Sequence, residues 1–313
     1  MMTTRRSQTL FVGFAAMIVG TMAHAQDRPT DQWLTDPVDQ RTFEAYLEFF
    51  AYSHELPFET EVLSTSNQGG VREEHLRFQS TPSVVVTARL YHPTGFEVTG
   101  APAIVYLHGG GPAGKDRGVT VRMHRFLARA GIAVLAIDML HYGERNDGFF
   151  TTFDEMEKHE RLYNSDAEYL EWIQQTVKDV GRSFDFLVAE RGADPNRIGI
   201  AGLSRGAVVA AIAGGADKRF NAVALLHGGH FDFFEDGHRA AACPANYIGR
   251  ISPRPLFLLN AENDTDFLPE AAIRPMHRLA GESATYRWTN RGHGFMGEDD
   301  VSALADWLRD KLP

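Results

Sequence analysis

Short runs of uninterrupted apolar residues alternate along this chain with segments whose apolar positions return every three or four residues. The runs are Ala103–Leu107, Ile132–Ile137, the part of the Arg197–Ala201 segment that follows its arginine, Ala222–Leu226 and Pro255–Leu259. A strand half open to water would alternate polar and apolar residues. These do not, so each predicts a strand covered on both faces. The segments between them carry the helical period. Tyr169–Glu190 places Leu170, Ile173, Val177, Val180, Phe184 and Leu187 on one face, and Val121–Ala130, Glu270–Leu279 and Val301–Lys311 predict further helices. A last strand is expected at Ala284–Trp288. Strand and helix in turn imply right-handed crossovers and a parallel sheet, with any ligand at the carboxyl ends of its strands.

The beginning of the chain has another rhythm. Asp36–Tyr52 carries Val38, Phe43, Tyr46, Leu47 and Phe50 at helical spacing. Val71–Phe78 and Val84–Tyr91 predict two strands joined through Gln79–Ser83, an antiparallel edge to the sheet. The expected class is therefore α/β, with a mostly parallel central sheet, an antiparallel N-terminal edge and helices on both faces. Residues 71–313 would form that domain, preceded by a helical segment over 26–70. Asn146–Asp166 has no slot in the alternation: it mixes Phe149, Phe150, Phe153, Leu162 and Tyr163 with many acids. An insertion there could cover a pocket as a lid, or be a surface loop with a short helix.

Residues 1–25 read as a cleaved secretory signal, with Arg5 and Arg6 first, an apolar stretch from Leu10 to Met22, then Ala23-His24-Ala25. The apolar stretch is shorter than the roughly 20 residues a spanning helix needs. A periplasmic or secreted location follows. Charge is −10 for the 313 residues and becomes −12 once Arg5 and Arg6 leave with the signal. That acidity argues against nucleic acid or an anionic membrane surface as partner. Cys243 is the single cysteine, which excludes an intramolecular disulfide and reads as a small buried apolar residue.

The candidate chemistry sits where apolar runs end. Gly202-Leu203-Ser204-Arg205-Gly206 joins a strand to a helix rich in small residues. A serine there stands on a tight turn with a helix N-terminus behind it, and a Cβ at either glycine would crowd that turn. A serine hydroxyl needs a base, and the base needs a group that fixes its tautomer. Asp264 follows the Pro255–Leu259 run, with Asp266 as a competing acid, and His293 follows the last strand. An oxyanion hole needs two backbone donors. Arg205 offers one, and Gly109 or Gly110, in His108-Gly109-Gly110-Gly111 after the Ala103–Leu107 run, offers the other. Asp138 and Arg145, flanking His141-Tyr142-Gly143-Glu144, read as structural groups of a loop. His227, His230 and His238, with Asp232 and Asp236 nearby, lack the spacing of a metal motif, so no metal and no cofactor is expected.

On these residues the chain resembles the α/β-hydrolase superfamily over roughly residues 70 to 313, most of all its serine esterase and dienelactone-hydrolase-like branch. Dienelactone hydrolases proper have cysteine where this chain has Ser204. The resemblance implies Ser204 as nucleophile, Asp264 as acid and His293 as general base, with the order Ser, Asp, His and a glycine loop as in lipases and esterases. It implies cleavage of a small-molecule carboxylic ester through an acyl-enzyme. Phe231 and Phe233 read as pocket lining, with plain core as the alternative, and Phe149 joins them as a substrate-binding candidate. A prolyl-peptidase-like serine peptidase is the alternative within the fold, though the segment before the core is too short for a propeller. A non-catalytic binding protein with the same fold is the alternative outside enzymology.

Overall fold

The computed structural model describes residues 32–95, 98–146, 153–230, 235 and 239–313. Its strands are β1 (Glu61–Gln68), β2 (Val71–Thr81), β3 (Val84–Pro93), β4 (Ala103–Leu107), β5 (Ala133–Ile137), β6 (Ile198–Leu203), β7 (Val223–Leu226), β8 (Leu256–Ala261) and β9 (Thr285–Thr289). Its helices are α1 (Gln40–Leu47), α2 (Gly118–Arg129), α3 (Glu155–Lys158), α4 (Asp166–Arg191), α5 (Arg205–Ala216), α6 (Ala245–Ile248), α7 (Arg274–Ala280) and α8 (Glu298–Lys311). The strands form one sheet in the order β1-β2-β3-β5-β4-β6-β7-β8-β9. β1, β2, β3 and β5 pair antiparallel, and every pair from β5 through β4 to β9 is parallel.

The two-residue strand period sorts each apolar run onto the two faces. Ala103, Val105 and Leu107 of β4, with Ala133, Leu135 and Ile137 of β5, join the core under α4 and α5, where Trp172, Ile173, Val180 and Val209 are buried. Ile104, Tyr106, Val134 and Ala136 point the other way, onto Met123 and Leu127 of α2 and Leu304 and Leu308 of α8. Two helical layers therefore sandwich the parallel strands, which is why those strands carry no polar alternate. Register matters for the site: Leu107 lies opposite Gly202, and Leu226 opposite both Leu203 and Leu259. The carboxyl ends of β4, β6, β7 and β8 thus finish at one edge.

Several elements depart from the sequence expectation. β1 lies inside the stretch expected to be helical up to residue 70, and all eight of its residues are exposed. It is held by main-chain pairing with β2, so no apolar period announces it. The expected Asp36–Tyr52 helix is α1, which starts where Asp39 Oδ1 accepts the Thr42 N–H at 2.7 Å and ends in a tight turn at Glu48–Phe50. The Glu270–Leu279 helix is split into a wide turn, Pro269–Ile273, and α7. Pro275 lacks the amide that a continuous helix would use there.

Between β5 and α4, Asp154 and Glu157 cap α3 reciprocally, at 2.9 and 3.0 Å. The wide turn His159–Tyr163 that follows buries Leu162 and Tyr163 against Tyr169 and Trp172.

Candidate active site

Ser204 is placed by the turn between β6 and α5. Its φ of 53° is in the left-handed region, unusual for a residue with a side chain. Crowding explains the flanking glycines: a Cβ at Gly202 would stand 2.1 Å from the Gly206 carbonyl oxygen, and one at Gly206 2.3 Å from that of Leu107. Both obstacles are backbone, so neither can swing aside. The Ser204 N–H donates to Leu226 O at 2.8 Å, fixing the turn to β7.

Asp264 and His293 come to the same edge from the loops after β8 and β9. Asp264 is buried, and its Oδ1 accepts the N–H groups of Asp266 and Phe267, each at 2.9 Å. The carboxylate therefore faces one way, toward His293 Nδ1 at 2.9 and 3.0 Å. Donation from Nδ1–H to the carboxylate leaves Nε2 bare, and Nε2 lies 2.8 Å from Ser204 Oγ. Asp266 Oδ2 is 3.5 Å from Nε2, on the opposite side of the ring from Asp264 and half exposed. Asn263 Oδ1 accepts the Gly292 N–H at 3.1 Å, tying the acid loop to the histidine loop. Arg291 anchors the latter to α8 through Asp299 at 2.7 Å and buried Asp300 at 3.3 Å.

The glycine loop after β4 runs alongside. Gly109 is the glycine next to the serine, since a Cβ on it would meet Ser204 Cβ at 3.3 Å, whereas Gly110 faces the Glu155 carboxylate. Gly111 donates its N–H to Glu155 Oε2 at 2.9 Å. Tyr142 Oη, itself bonded to Tyr163 Oη, donates to Glu155 Oε1 at 3.0 Å. Buried His108 receives the Met139 N–H on Nε2 at 3.1 Å, so Nδ1 carries the proton and donates to Gly109 O at 2.7 Å. Burial pushes the His108 pKa down, so the ring works here as a neutral clamp. Arg205, one residue past the serine, is buried with its guanidinium on Glu235 and 3.9 Å above the Tyr163 ring.

Asp138 anchors the next loop. It takes the Lys115 ammonium at 2.7 Å, the Thr87 hydroxyl at 2.8 Å and the N–H groups of Lys115 and Glu144 at 2.8 and 3.1 Å. Arg145 donates to its carbonyl at 2.8 Å. Both are structural, as their place in the sequence suggests. Burial lowers the Lys115 pKa, but Asp138 and Glu144 outweigh it and hold the ammonium above its ordinary value.

The histidines noted in the sequence separate. His230 Nε2 lies 3.2 Å from the Sγ of buried Cys243. His227 instead turns to the site, its ring 6.0 Å from that of His293. Burial, with His293 adding to it, pushes the His227 pKa down to about 4. His238, Asp232, Asp236, Phe149, Phe231 and Phe233 lie outside the described residues. In sequence Asp154, Glu155 and Glu157 read as a charge run on a solvated face; Glu155 instead turns to Gly111 and Tyr142, and Lys115 carries no local signal, because the partners of both are remote in sequence.

No family model and no curated protein matches this sequence. Solved structures do match. The acetyl xylan esterase from Paenibacillus sp. R4 superposes with a TM-score of 0.66 at 16% identity, over 91% of this chain and 100% of that one. The chain has the α/β-hydrolase fold. Acetyl xylan esterase 1 from a Thermoanaerobacterium species shares the fold with a TM-score of 0.65 at 15% identity, over 90% and 99% of the two chains. A glucuronoyl esterase from Solibacter usitatus does so with a TM-score of 0.60 at 15% identity, over 88% and 93%. In the α/β-hydrolase fold the edge where Ser204, Asp264 and His293 meet is the edge where ligands bind.

Proposed function

We propose that this protein is a serine esterase that cleaves carboxylic esters through an acyl-enzyme. The observation that carries the proposal is the hydrogen-bonded file Ser204 Oγ, His293 Nε2, His293 Nδ1, Asp264. The structural neighbours are esterases by name, which fits the reading. His293 Nε2 takes the Ser204 proton as Oγ attacks the ester carbonyl carbon. Asp264 keeps the other proton on Nδ1 and stabilises the imidazolium. The tetrahedral oxyanion is received by the Arg205 N–H, at the positive end of α5, and by the N–H of Gly109, the loop glycine whose Cα faces the serine. Imidazolium then gives its proton to the departing alcohol oxygen. Water attacks the acyl-enzyme, passes a proton to His293 and releases the carboxylic acid while the serine recovers its own.

Asp264 is the acid of choice over Asp266, because it faces Nδ1 and two backbone amides fix its direction. The substrate is a small-molecule ester, and Phe149, Phe231 and Phe233 are proposed to line its pocket. Residues 1–25 are proposed to direct export and to be removed. No helix among the described residues is long and apolar enough to cross a membrane.

A panel of p-nitrophenyl esters, acetylated sugars and aminoacyl amides tests the reading. Ester turnover that Ser204→Ala lowers by several orders of magnitude is the expected result. Turnover of amides alone, or of esters at the parent rate by Ser204→Ala, contradicts it.

A further inference from the structure

His227 is used by nothing described above. Its residue is fully buried, and neither ring nitrogen has a hydrogen-bond partner among the described residues. Buried polar atoms are normally satisfied, and a phenylalanine would fill such a place without orphan nitrogens. The orphan ring is also not isolated. One ligand atom each from His227, Asp264 and His293 all lie within 4.8 Å of one another.

We propose that His227, Asp264 and His293 bind a divalent transition-metal ion of the zinc class, and that its occupancy switches the esterase off. Two imidazoles and a carboxylate are a donor set that zinc takes readily, with water completing a four-coordinate shell. Metal–ligand distances of about 2.1 Å place neighbouring donors roughly 3.4 Å apart in a tetrahedron, so small side-chain rotations close the site. Asp266 adds negative charge beside His293, its Oδ2 3.5 Å from Nε2. The metal does not take part in ester cleavage. It competes with it, because His293 cannot serve both. Coordination through Nε2 removes the lone pair that receives the Ser204 proton. Coordination through Nδ1 forces the ring proton onto Nε2, with the same result. The switch, though not the binding, rests on the esterase reading.

Zinc titrated calorimetrically into full-length Ser204→Ala, which reports binding without activity, should give one ion per chain. Adding His227→Gln to that chain should weaken binding by at least about 10- to 100-fold, the range seen on removing even an indirect support of a metal ligand. Cobalt(II) added to Ser204→Ala should develop the intense visible bands of a four- or five-coordinate site, a readout that needs no change at His227. In parallel, zinc should inhibit p-nitrophenyl acetate hydrolysis by the parent, and EDTA should restore it. His227→Gln should hydrolyse the ester within about threefold of the parent rate and require at least tenfold more zinc for half-inhibition. Absence of binding, an affinity indifferent to His227, or a pale six-coordinate cobalt spectrum overturns the site. Binding as expected in a chain that cleaves no ester retains the site and overturns the esterase reading alone.

Discussion

Glu155 Oε2 accepts the Gly111 N–H at 2.9 Å, joining α3 to the glycine loop across 44 positions of sequence. A charged acceptor makes this one of the stronger hydrogen bonds of the molecule, about 1.5–3 kcal/mol. It shapes the loop whose neighbouring amide is assigned to the oxyanion, so its loss should appear in chemistry more than in substrate binding. Glu155→Ala is expected to lower kcat by about 10- to 100-fold, with KM for a small ester changed by less than about threefold. Glu155→Gln keeps an acceptor oxygen and should recover most of the rate. Steady-state kinetics of the two variants decide the matter, and an unchanged kcat in Glu155→Ala would remove Glu155 from the account.

Asp264 and Asp266 compete for the same role on paper and differ in which side of the His293 ring they meet. Asp264→Asn should drop kcat by about three to four orders of magnitude, since an amide facing Nδ1 favours the wrong tautomer. Asp266→Asn should cost less than about tenfold. The reverse ranking, measured with one ester at one pH, would exchange the two assignments.

The Lys115–Asp138 pair is buried on both sides. Removing one partner of such a pair leaves a charge without compensation, at a cost of about 3–5 kcal/mol. Glu144, 2.7 Å from the same ammonium, softens the loss. Asp138→Ala is therefore expected near the lower end, about 3 kcal/mol, in urea unfolding followed by tryptophan fluorescence. A change below about 0.5 kcal/mol would mean that the loop is held otherwise.

Acid stability should follow buried histidines. Burial pushes His124 down to about 3, and His159 and His277 to about 4. These rings are neutral in the folded chain, while the unfolded chain protonates them near the ordinary histidine value of 6.5. The unfolded state therefore binds more protons below that value, and folding stability falls as pH drops from about 6.5 toward 3. His124 packs between Tyr91 and Tyr106, with no hydrogen-bond partner for either nitrogen among the described residues. His124→Phe should change stability by less than about 1 kcal/mol at pH 8 and gain about 3 kcal/mol on the parent at pH 4. Parallel stability curves for variant and parent across that range would refute the assignment.

What the sequence made legible follows from where the forces are local. Unbroken apolar runs at Ala103–Leu107 and Ile132–Ile137 revealed strands covered on both faces, because such strands have no polar side to hide. Gly202 and Gly206 revealed the turn at Ser204, because only glycine clears the carbonyls they meet. β1 was illegible because main-chain pairing and an exposed Arg77–Glu61 ion pair hold it, and neither leaves an apolar period in the sequence. The break before α7 was written in Pro275 but outvoted by the apolar period around it. Glu155 and Lys115 depend on partners brought near by the sheet order, which no window of sequence contains. His227 was visible as a histidine, yet its nearness to His293 exists only after β7 and β9 are set on either side of β8.

The central claim is that Ser204 becomes covalently acylated, and the most direct measurement is peptide mass spectrometry after treatment with a fluorophosphonate, which reacts with an activated serine as an ester does. One adduct per chain, located on the peptide containing Ser204 and absent from His293→Ala, is the expected result. An unlabelled chain that still hydrolyses esters, or an adduct on another residue, would contradict it.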